Sequence, residues 1–188
     1  MLLLELIKKT RSFRRFDQST TITTDQLKQM VNHARLGASG RNQQSLCYKL
    51  INDAATNAVV FPLLKWAGFI ENWDGPVQGE RPTAYVVVCH NKNIATSHFC
   101  DEGIAMQNML LAATEMGLGG CIIASVDKKK LRQLLQIPEH LEILDVVALG
   151  KPAENVVIED MQGDDYKYWR DKEGVHHVPK RSLGDILF

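Results

Sequence analysis

The sequence predicts a single α+β domain over residues 1–188, with helices and strands in irregular order around one sheet. Three observations carry that reading. The length of 188 residues suits one well-buried core and hardly two. Two runs, "TAYVVVCH" and "LEILDVVALG", are nearly continuous in β-branched and apolar residues, as strands buried on both faces are. Between them, "DEGIAMQNMLLAATEMG" has a helical pattern that is apolar almost all round.

The elements follow in chain order. "MLLLELIKK" reads as a first helix with Leu2, Leu3, Leu6 and Ile7 facing inward. Glu5 interrupts its apolar run too early for a signal peptide or a membrane span. In "TTITTDQLKQMVNHARLG", Thr23 and Gln26 have capping-box spacing, Leu27, Met30, Val31 and Ala34 repeat at helical spacing, and Gly37 closes the helix. The polar loop "ASGRNQQS" leads into an alternating strand, "LCYKLIN". Residues 53–66 form a helix broken at Pro62, and 68–82 are irregular.

The central helix contains Ile104, Met106, Met109, Leu110, Leu111, Ala113 and Met116. Such a helix needs cover on every side, part of which a second copy of the chain could supply. Gly117 ends it in a left-handed conformation, and "CIIAS" is a short buried strand. Asp127 caps a further helix with a Leu131, Leu134, Leu135 stripe that stops before Pro138. "YKYWRDKEGVHHV" is a hairpin turning at 171–174, and "PKRSLGDILF" trails behind it.

Hydrophobic residues make up 45% and charged residues 23%, an ordinary globular composition, and the formal net charge is zero. That balance argues against nucleic acid and membrane surfaces as partners, since both call for a basic field. Cys47, Cys89, Cys100 and Cys121 have no paired spacing, so reduced thiols and a cytoplasmic setting are expected.

Several chemical signals dissolve on inspection. "GLGG" at 117–120 lies where a helix ends and a strand begins, the reverse of a dinucleotide-binding glycine loop. His98 with Cys100, and His176 with His177, lack partners at ligand spacing, so no metal site is expected. No nucleophile motif is present. Asp101 and Glu102 suit the polar start of a helix. What remains is "TRSFRRFD", which gathers Arg11, Arg14 and Arg15 around Ser12 in a neutral chain. A solvated basic turn explains it, and so does a pocket for a phosphate monoester, which takes several charge-assisted hydrogen bonds.

Five stretches together resemble the nitroreductase family of flavin-dependent oxidoreductases. They are "RSFRRFD", "ASGRNQQS", "DEGIAMQNMLLAATEMGLGGC", "LGKP" and "VPKRSL", in order and over nearly the whole chain. The resemblance implies a mostly antiparallel central sheet flanked by helices, in an intertwined homodimer that exchanges C-terminal arms and binds FMN at the interface. It implies that Arg11, Ser12 and Arg14 hold the FMN phosphate, ribityl chain and pyrimidine edge. Lys180 and Arg181 would close on the phosphate, while Ala38, Ser39 and Asn42 come from the partner. The backbone at Ala124 and Ser125 would meet the reactive flavin edge.

The activity implied is transfer of hydride from NADH or NADPH to a small organic acceptor (a nitroaromatic, quinone or enone) by a ping-pong mechanism, with no catalytic side chain assigned. Alternatives on the same fold are reductive dehalogenation, flavin fragmentation, or non-catalytic flavin binding. The chain departs from the family pattern in three places. Thr10 stands where many members have arginine, Ser45–Leu46 replaces Pro-Trp, and residues 68–82 match nothing assignable. Arg15 lies outside the signature and is expected to face solvent.

Overall fold

The computed structural model describes residues 2–188. Helix α1 (Leu3–Lys9) is followed by the short strand β1 (Phe16–Asp17), helix α2 (Thr24–Arg35) and strand β2 (Leu46–Ile51). Next come α3 (Ala54–Val60), β3 (Ala84–Asn91), α4 (Asp101–Glu115), β4 (Gly119–Ile123) and α5 (Lys128–Leu135). Strands β5 (Leu141–Pro152), β6 (Val156–Asp160), β7 (Trp169–Arg170) and β8 (His176–Lys180) complete the chain.

The main sheet is antiparallel. Strand β3 pairs with β2 on one side and β5 on the other, and the long β5 pairs along its free edge with both β4 and β1. Alternation across β3 divides the core into two layers. Ala84, Val86 and Val88 join α2 and α4 on one face, whereas Tyr85, Val87 and Cys89 join Val60 of α3 and Leu131 of α5 on the other. That two-sided burial is why β3 reads as an unbroken apolar run. A register shift between Val88 and Cys89 marks a bulge that bends the sheet. The C-terminal strands make a separate small sheet, with β8 parallel to β6 and antiparallel to β7.

Local signals act where they were expected. The Thr23–Gln26 capping box is formed in both directions. Asp127 accepts from the Lys130 N–H at 3.0 Å. Pro62 sits in a 3-10 turn, Phe61–Leu63, directly after α3. Gly117 has φ 73° and ends α4 with the Leu118 N–H reaching back to the Ala113 carbonyl at 2.8 Å.

Two expectations are corrected. Helix α1 buries no residue: Leu2, Leu3 and Ile7 are 79%, 66% and 42% exposed, because α1 lies on the outside of α4 and nothing among the described residues covers its far side. Leu134 is also exposed, and Leu131 is the buried contact of α5. Helix α4, by contrast, finds most of its cover within the chain, with Ala105, Met106, Met109, Leu110, Ala112 and Ala113 buried.

Candidate functional site

The arginine segment lies along the outer edge of β4. Ser12 forms a parallel bridge with Gly120, and the Phe13 N–H donates to the Gly120 carbonyl at 3.0 Å. Gly119 permits this close layering, since a Cβ there would sit 2.5 Å from the Phe13 ring. Beyond Gly120 no strand among the described residues pairs with that edge. It runs open to Ala124 and Ser125, about 13–16 Å further along at strand rise. That exit is itself anchored, as Ser125's carbonyl accepts from the Lys65 N–H at 3.0 Å.

Contacts from the C-terminal half hold the arginines in place. Glu154, whose side chain is 1% exposed, accepts the Arg14 N–H at 2.5 Å, the Arg15 N–H at 3.1 Å and Arg170 Nη2 at 3.0 Å. One buried carboxylate thus fastens two backbone amides and a guanidinium, and each bond is charge-assisted. Arg14 Nη1 donates to His176 Nε2 at 3.2 Å, and its guanidinium carbon lies 4.7 Å from the Tyr168 ring centre. Because arginine only donates, His176 accepts through Nε2 and carries its proton on Nδ1. Burial, reinforced by Arg14, Arg170 and His177, pushes the His176 pKa down to about 4, so the ring is neutral at pH 7.

Arg11 turns its Nη2 to the Ile7 carbonyl at 2.8 Å, while its Nε is buried without a partner. Burial lowers its pKa. A desolvated guanidinium with a free donor, next to Ser12 and Arg14 on an open strand edge, fits an anionic group such as a phosphate ester. Thr10 is buried, and its hydroxyl lies 2.8 Å from the Leu6 carbonyl and 3.0 Å from Thr114 Oγ1, sharing a hydrogen bond with the Thr114 hydroxyl and tying this segment to the C-terminal end of α4.

Arg15 corrects an expectation. It does not merely face solvent but forms a two-pronged pair with Glu80, through Nε at 2.7 Å and through Nη2. The irregular stretch 68–82 therefore braces the arginine segment. Phe69 packs 5.1 Å from Tyr168 and Trp73 lies under Arg170.

The loop carrying Ala38, Ser39 and Asn42 lies elsewhere. Ser39 Oγ donates to Asp101 Oδ2 at 2.6 Å, and the Gly40 N–H donates to Asp101 Oδ1 at 2.8 Å. The Gln44 N–H returns to Ser39 Oγ at 2.9 Å. Arg41, Asn42 and Gln44 all have left-handed φ near 50°, a tight turn that Asp101, 3% exposed, holds from beneath. A cleft of about 170 Å³ opens beside Ser39 and Tyr48.

Asp101 and Thr114 mark opposite ends of α4. Thirteen residues of helix separate the loop's anchor from the arginine segment's anchor by about 20 Å. One chain does not bring the two groups together. Lys180 and Arg181 are placed apart as well. Lys180 sits opposite Asp160 in the β6–β8 ladder, Arg181 bonds the Asp185 carbonyl, and both are exposed. Sequence reasoning missed Glu154, His176 and Tyr168 because no local pattern marks a residue that meets Arg14 across 140 or more positions.

Comparison with known proteins bears on the fold. Residues 82–151 match the model of the Nitroreductase family. A Methanothermobacter thermautotrophicus protein, provisionally named NADH dehydrogenase/NAD(P)H nitroreductase, is 26% identical over 164 residues, 84% of this chain and 81% of its own. The FMN reductase (NADPH) of Bacillus subtilis is 42% identical over 55 residues, 28% of this chain and 22% of its own. The solved structure of a nitroreductase family protein from Streptococcus pneumoniae superposes with a TM-score of 0.71 at 15% identity, covering 100% of this chain and 99% of that one. The fold is that of the nitroreductase family.

Proposed function

We propose that this chain, with its nitroreductase fold, is an FMN-dependent oxidoreductase. It takes hydride from NADH or NADPH and passes reducing equivalents to a small organic acceptor: a nitroaromatic, a quinone or an enone. The observation that supports this most is the Ser12–Gly120 bridge. It lays Arg11, Ser12 and Arg14 at one end of an open strand edge, with the Ala124–Ser125 backbone at the other. FMN, when bound, supplies a two-electron centre that no side chain here provides.

In this reading Arg11 and Ser12 bind the phosphate end, and Arg14 meets the pyrimidine edge. Arg14 is held in position by His176 and by the Glu154 contacts to its backbone. The backbone at Ala124–Ser125 orients the reactive edge. Lys180, at the end of β8, and Arg181 beside it add positive charge to the phosphate end. Ala38, Ser39 and Asn42 complete the site from a second copy, because within one chain α4 keeps them about 20 Å from the arginines. The apolar side chains left exposed on α1 (Leu3, Leu4) and on the tail (Leu187, Phe188) give such a homodimer surface to bury.

The absorption spectrum of the purified protein tests the reading directly. A flavin spectrum that NADH or NADPH bleaches under anaerobic conditions, and that a nitroaromatic or quinone restores, is the expected result. A colourless protein that gains no thermal stability from FMN would refute it. A yellow protein that neither nucleotide reduces points instead to flavin binding without turnover.

A further inference from the structure

His176 and His177 are neighbours on β8 and project to opposite faces of it. The first meets Arg14, and the second meets a different set of groups. His177 Nδ1 lies 2.9 Å from Glu159 Oε2 on β6, and Nε2 lies 3.2 Å from Asp171 Oδ2 in the turn after β7. The Trp169 indole of β7 stacks on the ring, with centres 4.0 Å apart and planes 10° from parallel. Trp169 Nε1 in turn donates to Glu159 Oε1 at 3.0 Å.

An ionised carboxylate only accepts, and a neutral imidazole carries a single N–H. With a carboxylate at each ring nitrogen, only the imidazolium satisfies both. The charged ring also gains from the face of the indole. Glu159 and Asp171 are the charged side chains that face it, from β6 and from the turn. Strand β7 contributes the uncharged Trp169, and on β8 itself His176 is neutral at pH 7. Hydrogen bonding first to Glu159 and then to Asp171 raises the His177 pKa above the ordinary 6.5. Asp171 also accepts the Val175 N–H at 2.7 Å, so the carboxylate that holds the ring also closes the turn.

We propose that His177 is a protonation-controlled clasp on the C-terminal sheet. As the imidazolium it ties β6, Trp169 and the 171–174 turn together, and on losing a proton to solvent it loosens the turn. The neutral ring has one N–H left, which the shorter contact to Glu159 retains. The Nε2 lone pair then faces the Asp171 carboxylate, and an attraction becomes a repulsion. Strand β8 transmits the change, because it also presents His176 to Arg14 at 3.2 Å. Only this last link, from the clasp to the flavin, rests on the proposed cofactor site.

The clasp stabilises the fold fully below pH 6.5, and this contribution is lost as pH rises through the folded value. Proton NMR of the purified protein across pH tests it, with the His177 resonance assigned by its absence in His177→Gln. That resonance should titrate above 6.5. Trypsin cleavage after the exposed Lys172, corrected with an unstructured peptide for the protease's own pH response, should quicken about tenfold over the same range, the worth of one charge-assisted hydrogen bond. His177→Gln should be cleaved at the fast rate at every pH. Asp171→Asn, whose amide oxygen can still accept the Val175 N–H, should lower the His177 pKa. Flavin loss on dialysis should quicken as the ring titrates. A His177 titration at or below 6.5, or equal cleavage of wild type and His177→Gln, overturns the clasp. Faster cleavage with unchanged flavin loss overturns the link to Arg14. A protein that holds no flavin at any pH refutes the cofactor site, while NMR and trypsin still decide the clasp.

Discussion

The Arg11–Arg15 segment and the Ser39–Gln44 loop form the two halves of the proposed site, and they are held by different means. The arginine segment is shaped by distant parts of the chain: Glu154, His176 and Tyr168 from the C-terminal sheet and Glu80 from the irregular stretch. The loop is shaped by its own left-handed turn and a single carboxylate, Asp101. The first half is thus sensitive to the state of the C-terminal sheet, whereas the second depends on one end of α4. The length of that helix keeps the halves apart.

If the halves come from different chains, two defective variants should rescue each other. Arg14→Ala damages one half and Asn42→Ala the other, so each alone should lose FMN on dialysis. Mixed by unfolding and refolding together, they should recover about a quarter of the wild-type flavin sites, since half the dimers are mixed and each has one intact site. No recovery in demonstrably mixed dimers would place both halves in one chain.

The next largest effect is expected at Glu154. Glu154→Ala leaves Arg170 without its buried partner and two backbone amides unsatisfied, a loss of about 3–5 kcal/mol measurable by urea unfolding. Glu154→Gln should cost less. A change under 1 kcal/mol would mean that the C-terminal sheet does not fasten the arginine segment.

His176 gives the arginine half a dependence on pH. Its folded pKa of about 4 lies below the ordinary 6.5, so the unfolded chain binds the extra proton between those values. The stability due to the neutral ring is complete above pH 6.5 and is lost as pH falls towards 4, by about 3 kcal/mol. His176→Asn should flatten that part of the stability profile. A variant with the wild-type slope would assign the loss to another group.

The smallest effect is expected in the loop. Asp101→Ala strands the Gly40 amide and the Ser39 hydroxyl, costing about 2 kcal/mol. Trypsin cleavage after Arg41 should quicken in the flavin-free protein, while the arginine half is unaffected. Unchanged cleavage would show that the turn holds itself.

Much of the scaffold was legible locally. The capping box at Thr23, the Asp127 cap, the left-handed Gly117 and the two-faced burial of β3 and β5 each follow from short-range chemistry or from period. The positions of Leu3 and Ile7 were not legible, because an apolar helix face shows a need for cover without saying whether this chain provides it. Asp101 was readable as a helix start but not as the support beneath a distant loop. Arg15 looked dispensable because its partner, Glu80, lies in a stretch with no pattern.

The sequence by itself determined the α+β class, the order of the main helices and of the central strands β2 to β5, and the residue types suited to an anion. These depend on propensity, periodicity and spacing within a few residues. Only the tertiary structure decided which arginine points where, that a buried neutral histidine and Glu154 hold Arg14, and that α4 keeps the Ser39 loop apart from the arginine segment. Those facts rest on contacts between residues more than 60 positions apart, where chain packing, and no local preference, sets the geometry.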